Sequence, residues 1–340
     1  MLERQALCRK GTRSRSGSGP VERSLVATPT SRPSAARDRP AVSPYLGLAV
    51  ATVAVSFAAI FIGKATAPPL VTATYRMALT SALLVPIALA RQRRSVARAT
   101  PAGGGGQGVE TPRRDSLRGR DYALLAVAGV LLALHFATWT VSLFYTSVAS
   151  SVLFVTVHPV LVAALAWVWL GERTRPVVAA GIGLTTIGSL VVAGGDLRVG
   201  GRALVGDGLA LAGAGAFAFY LLIGRRARQR LDPVAYSAPV YLICAMVLAG
   251  IAIAGRQPFA PLTWRNLALF LALALVCTLG GHLVYNWALK YLDTAVVSVS
   301  FLGEPVIAAA LAWPLLGQAI PPLTVVGGAI ILVGIYLCTK

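Results

Sequence analysis

Glu304 stands inside SVSFLGEPVIAAALAW, residues 298–313, a stretch otherwise made of apolar and small residues, and Pro305 follows it at once. A carboxylate at the centre of an apolar helix costs about 2.5–3.5 kcal/mol to insert in a bilayer, so it should face a cavity or a partner. Two readings stand side by side. The acid is held by Ser, Thr or backbone donors for structural reasons, or it binds a proton or a substrate group. Pro305 lacks an amide hydrogen and leaves a backbone carbonyl free one turn earlier, and Gly303 loosens the same turn. VTVHPVLVAALAW, residues 155–167, repeats the arrangement with His158 before Pro159. Two ionisable groups therefore precede two helix-breaking prolines.

Arg76, in ATYRMALT, is a cation about seven residues from its helix end, roughly 10 Å deep at 1.5 Å per residue. It can pair with Glu304, bind a substrate carboxylate, or snorkel to the headgroups. LHFATWTVSLFY (134–145) and GGHLVYNWALKY (280–291) add His135, Trp139, His282, Tyr285, Asn286 and Trp287 at helical spacing. Polar side chains facing lipid are costly, so some of these should line a pathway, with Trp139, Tyr285 and Asn286 favoured. Interfacial anchoring accounts for some of the aromatics equally well. Phe57 and Tyr220 are weaker pathway candidates on related helices.

The elements that hold these residues follow from composition. The 340 residues are 56% hydrophobic and 13% charged, with mean hydropathy +0.72, whereas a soluble domain is about 25% charged. Apolar runs long enough to cross the ~30 Å hydrocarbon layer recur throughout. The reading is an all-α polytopic membrane protein with ten transmembrane helices. Expected spans are 45–65, 69–90, 121–145, 147–170, 174–194, 205–224, 233–254, 266–289, 292–316 and 321–339. Residues 1–44, rich in Arg, Ser, Pro and Gly, are expected to be a disordered basic tail. Residues 91–120, with a GGGG core and Arg clusters, are expected to be a flexible solvated linker.

The ten helices divide into two sets of five, 45–194 and 205–339. Residues 145–190 shifted by 146 positions fall on 291–336. Tyr145 then meets Tyr291, Pro159 meets Pro305, ALAW at 164–167 meets ALAW at 310–313, Leu170-Gly171 meets Leu316-Gly317, and Gly188 meets Gly334. A shift of 161 aligns the earlier helices, Lys64 with Arg225 and Tyr75 with Tyr236. An odd number of helices per set means the second enters the membrane from the opposite side, the inverted-repeat construction of secondary transporters. With the N-terminus in the cytoplasm, 25 Lys and Arg fall on that side and five on the other, which places both termini in the cytoplasm of a multi-pass plasma-membrane protein. The net charge of +19 is thus a topology signal, and nucleic acid is not expected as a partner. The four cysteines carry neither CxxC nor CxxH spacing, so neither a disulfide framework nor a metal site is expected, and no cofactor is implied.

YTSVASSVLFVTVHPVLVAALAWVWLGERTRP (145–176) and YLDTAVVSVSFLGEPVIAAALAWPLLGQAIPP (291–322), within this ten-helix frame, resemble the drug/metabolite transporter superfamily, in its EamA-like branch. The resemblance covers roughly residues 45–339. It implies a secondary transporter, commonly an exporter, of metabolites, amino acids or drug-like compounds. One departure is visible: the second copy closes on LGQ where members commonly carry LGE, so a role for that acid falls to Glu172 alone. The function expected is alternating-access transport of a small molecule by a monomer or homodimer, with proton coupling through Glu304 as one version. An intramembrane enzyme is weighed against it, and its HExxH or GxSxG motif is absent from the sequence. A channel or scaffold is the other alternative, and no repeated pore loop or charged ring is present.

Overall fold

Proline starts five of the helices. Pro44, Pro69, Pro176, Pro233 and Pro322 each occupy the first position of one, where the missing amide hydrogen costs nothing and the fixed φ suits the helix. The computed structural model describes residues 40–99, 119–142, 144–146, 148–193, 201–259, 262–317, 320 and 322–340. The elements are α1 (Pro44–Lys64), α2 (Pro69–Ala99), α3 (Gly119–Ser142), α4 (Val148–Val155), α5 (His158–Leu170), α6 (Pro176–Ala193), α7 (Arg202–Arg228) and α8 (Pro233–Ala254). They continue with α9 (Trp264–Ala272), a π-helical segment Leu273–His282, α10 (Leu283–Ala288), α11 (Thr294–Ser300), α12 (Gly303–Leu316) and α13 (Pro322–Cys338). Among the described residues, eight segments of 18 residues or more are apolar enough to cross a bilayer, and two shorter apolar helices, Pro176–Val192 and Pro322–Cys338, complete ten spans. The fourth span is α4 plus α5, the eighth is α9 through α10, and the ninth is α11 plus α12.

The packing is symmetric between the halves. The second span lies on the seventh and the fifth on the tenth, each against its own counterpart. The third span packs on the sixth as the first packs on the eighth, and α5 meets α7 as α12 meets α1. Two inverted five-helix repeats around a pseudo-two-fold axis give this pattern. Along the fifth and tenth spans the approach is backbone to backbone. A Cβ on Gly188 would lie 2.7 Å from the Gly327 carbonyl oxygen, and one on Gly181 would lie 2.6 Å from that of Gly334. Small residues permit this closeness where no hydrophobic force drives helices together.

Two expected boundaries shift. α2 does not stop at residue 90 but continues to Ala99, through nine residues of the expected flexible linker. The segment RQRRSVARA contains mostly good helix formers, and Pro101 comes only after it. α3 likewise begins at Gly119; residues 100–118 lie outside the described residues, as does the expected tail up to residue 39. The fourth and ninth spans, expected over 147–170 and 292–316 with Pro159 and Pro305 as helix breakers inside them, are each two helices, interrupted at Thr156-Val157 and Phe301-Leu302. A proline two or three residues on removes the donor that would carry the ladder across.

Candidate functional site

The two interruptions are mended by different donors. In the fourth span Pro159 cannot donate to Val155, and His158 takes over: its Nδ1 lies 2.9 Å from the Val155 carbonyl oxygen. A carbonyl only accepts, so the proton is assigned to Nδ1, and Nε2 of the neutral ring is left as an acceptor. That Nε2 is buried without a hydrogen-bond partner among the described residues. In the ninth span the Phe301 carbonyl, freed by Pro305, accepts instead from Glu304 N at 2.9 Å. That tighter turn leaves the Ser300 carbonyl, which accepts from Thr52 Oγ1 of α1 at 3.2 Å. The same hydroxyl lies 2.7 Å from Tyr285 OH and 2.8 Å from the Leu48 carbonyl. The backbone break therefore uses the amide of Glu304 but not its carboxylate. Among the described residues that carboxylate has no hydrogen-bond or ion-pair partner, and the residue is half-buried.

Arg76 does not snorkel. It is buried in the bundle, 5% exposed. Nε donates to Thr278 Oγ1 of the π-helical segment at 2.7 Å, and the guanidinium lies 5.4 Å from the centre of the Phe136 ring. Its Nη2 is buried with no hydrogen-bond partner among the described residues. A planar donor anchored through Nε, with the neighbouring Nη2 left free, suits a carboxylate or another oxyanion. Thr278 serves both sides of this contact, since its hydroxyl also donates to the Leu273 carbonyl at 3.1 Å. That i−5 bond belongs to the wider π turn, and such turns are frequent at functional sites.

Aromatic rings join the two breaks. Phe217 of α7 and Phe301 meet edge to face at 5.1 Å, and His158 lies 5.1 Å from the first and 6.1 Å from the second. His135 lies 4.6 Å from Phe217 and stacks on Trp139 at 6.3 Å, while its Nδ1 meets the Gly213 carbonyl at 3.0 Å. His282 lies 5.7 Å from Phe301 and 6.1 Å from Phe136. Tyr285 stacks on Phe301 at 3.7 Å. Three histidines that are far apart in the sequence thus gather around two phenylalanines. No group of three His, Cys, Asp or Glu among the described residues could hold a metal. Trp139 Nε1 and Ser298 Oγ are also buried without hydrogen-bond partners. Among the described residues, Arg76, Trp139, His158 and Ser298 together leave four buried polar atoms unmatched, where each such atom ordinarily finds a partner.

The remaining sequence candidates fall elsewhere. Asn286 accepts from Tyr220 OH at 2.9 Å and donates to Ser237 Oγ and Tyr241 OH, both at 3.0 Å. It is the hub of a closed knot tying the sixth, seventh and eighth spans, its amide fully occupied. Tyr220 belongs to that knot by its hydroxyl and to the aromatic group by its ring, 5.7 Å from Phe217. Phe57 stacks on Phe61 at 5.8 Å in a separate cluster with Ala58, Leu273 and Cys277. Sequence reasoning did not single out Thr52, Thr278, Phe217, Phe301 or Ser298. Thr52 and Thr278 carried one available signal, a hydroxyl at an apolar position.

A family profile for the EamA-like transporter family matches residues 42–194 and again 204–340. The chain belongs to this family of membrane transporters, one copy of the family's unit in each half. Curated relatives include a protein named an uncharacterized transporter from Clostridium kluyveri, 23% identical over 64% of this chain and 72% of its own length. Another of that name, from Archaeoglobus fulgidus, is 26% identical over 64% of this chain and 75% of its own. A solved crystal structure superposes with a TM-score of 0.69 over 87% of this chain and 96% of that one, at 20% identity, and shares the fold.

Proposed function

We propose that this chain is a secondary transporter that exports a small metabolite, amino acid or drug-like compound across the plasma membrane by alternating access, with both termini in the cytoplasm. The observation that carries the reading is the pair of broken spans. His158 completes the backbone of its own break, while the carboxylate of Glu304, the residue at the equivalent break, has no hydrogen-bond or ion-pair partner among the described residues. A carboxylate so placed can exchange a proton for a substrate group as each side of the bundle opens in turn. Arg76 Nη2, Trp139 Nε1 and His158 Nε2 supply unmatched polar atoms for a ligand, and Phe217 and Phe301 supply its apolar walls.

The test is reconstitution in proteoliposomes with compounds that accumulate in cells lacking the gene. Uptake driven by an imposed pH gradient, lost in Glu304→Gln, supports the reading. Transport of the same compound that ignores both the gradient and the substitution rejects the coupling role of Glu304. Ionic conductance without saturable turnover rejects a carrier.

A further inference from the structure

Gly171 ends α5 in the left-handed region, φ +67°, as Gly317 ends α12. The turn brings the Glu172 amide back to the Ala166 carbonyl at 3.2 Å and sends its side chain towards the second repeat. Arg225, near the end of α7, donates through Nε to Glu172 Oε1 at 2.8 Å and through Nη1 to the Leu289 carbonyl at 2.6 Å. Thr294, the first residue of α11, donates to Glu172 Oε2 at 3.4 Å, and Asp293 lies 4.0 Å from Arg225 Nη2. The Arg225 and Glu172 side chains are only 18% and 25% exposed, so the pair is better shielded than a surface ion pair. It joins the broken span of the first repeat to the sixth, eighth and ninth spans of the second. Glu304 lies ten residues beyond Thr294, about 15 Å along the span.

The duplication supplies the comparison at the other end of the bundle. Arg225 corresponds to Lys64, Leu289 to Leu143, Asp293 to Ser147, Thr294 to Val148 and Glu172 to Gln318. Leu143, Ser147 and Gln318 lie outside the described residues, but the residue types suffice. No member of that second set is acidic, so it cannot assemble the ion pair, and Lys64 is exposed. The repeat-equivalent positions at the other end cannot form this ion pair; there, among the described residues, Asp207 of α7 accepts from Thr146 across the repeat boundary at 2.8 Å, so the two ends are held by different bonds, which biases the bundle between them.

We propose that Glu172 and Arg225 form the latch of the transport cycle: they hold shut the end of the bundle where α5, α7 and α11 meet, so that the protein rests closed on the Glu172 side. The inference rests on the transporter reading above, but it is read by accessibility and needs no substrate. A Ser298→Cys reporter lies one turn inside Thr294, buried. In the full chain in membrane vesicles, an impermeant maleimide is applied to either side, and Arg173→Cys, exposed beside the latch, identifies the side. Labelling of the chain without a reporter is subtracted.

Glu172→Gln should raise labelling of the reporter from the Arg173 side about tenfold, the scale of one charge-assisted hydrogen bond, and should lower it from the other side. Arg225→Gln should do the same, and the double variant should exceed neither, because both remove one interaction. Unchanged labelling, an equal rise from both sides, or additive effects in the double variant overturns the latch. Where Glu172→Gln fails to fold, Glu172→Asp should give a smaller rise on the same side, and no rise rejects the proposal.

Discussion

His158 Nδ1 lies 2.9 Å from the Val155 carbonyl, the acceptor that Pro159 leaves free. The side chain replaces the helix bond that its own neighbour deletes. His158→Leu should therefore orphan a buried carbonyl and destabilise the protein by about 1–3 kcal/mol. His158→Asn, which offers an amide donor on a short side chain, should recover part of that loss. Thermal unfolding of the purified protein in one detergent checks the order wild type, Asn, Leu.

Glu304 occupies the equivalent place, and its carboxylate has no partner among the described residues. Glu304→Gln should then unfold within a few degrees of wild type while losing gradient-driven uptake to the level of empty liposomes. His158→Asn should keep the gradient dependence. The opposite pattern, with coupling lost at His158 and retained at Glu304, would reassign the proton to the first repeat.

These two residues show what could be read from the sequence. The breaks were legible because a proline removes its donor whatever surrounds it, and the duplication was legible because YTSVAS…LGE and YLDTAV…LGQ align without gaps. What mends each break was not legible. Thr52 reaches the Ser300 carbonyl across 248 residues of chain, and nothing local to Pro305 announces it. The convergence of His135, His158 and His282 was hidden for the same reason, since only packing around Phe217 and Phe301 unites them. Asn286 looked like a pathway residue because an amide in an apolar helix is costly; three partners on neighbouring helices meet that cost. The overrun of α2 into the linker came from local helix preference that the charge of its arginines masked.

Arg76 depends on Thr278 for its orientation, through the 2.7 Å bond from Nε. Thr278→Val should lower the initial transport rate by about tenfold or more, because it leaves a second guanidinium nitrogen unmatched. Thr278→Ser should retain most activity. Arg76→Lys should not restore what is lost, since an ammonium has no second nitrogen to present once it reaches Thr278. Initial rates at saturating and low substrate separate a loss of binding from a loss of turnover.

Asn286 ties Tyr220, Ser237 and Tyr241 together in the interior. Asn286→Leu removes the hub and strands several hydroxyls, so a destabilisation of about 1–3 kcal/mol per buried unmatched group is expected, less whatever the three can regain among themselves. Adding Tyr220→Phe and Tyr241→Phe removes two of the stranded hydroxyls and should recover part of the loss. A recovery of that kind, measured by unfolding, marks a structural knot; no recovery, with transport abolished at full stability, would return Asn286 to the pathway.

The fifth and tenth spans meet through four glycines arranged twice over, Gly181 against Gly334 and Gly188 against Gly327. The repeat maps Gly181 onto Gly327 and Gly188 onto Gly334, so the seam is its own mirror across the pseudo-two-fold axis. A Cβ on Gly327 would sit 2.6 Å from the Gly188 carbonyl oxygen, which is backbone and cannot swing aside. Gly327→Ala should force the helices apart at a cost of about 1–3 kcal/mol, and Gly181→Ala, its repeat partner, should cost a similar amount. Gly183, on the same helix with nothing within 4 Å of its would-be Cβ, is the control: Gly183→Ala should be neutral or stabilise by up to about 1 kcal/mol, since alanine is the better helix former. Unfolding of the three variants decides it. If Gly183→Ala destabilises as much as Gly327→Ala, the glycines act through backbone freedom and not through contact, and the two spans are free to slide.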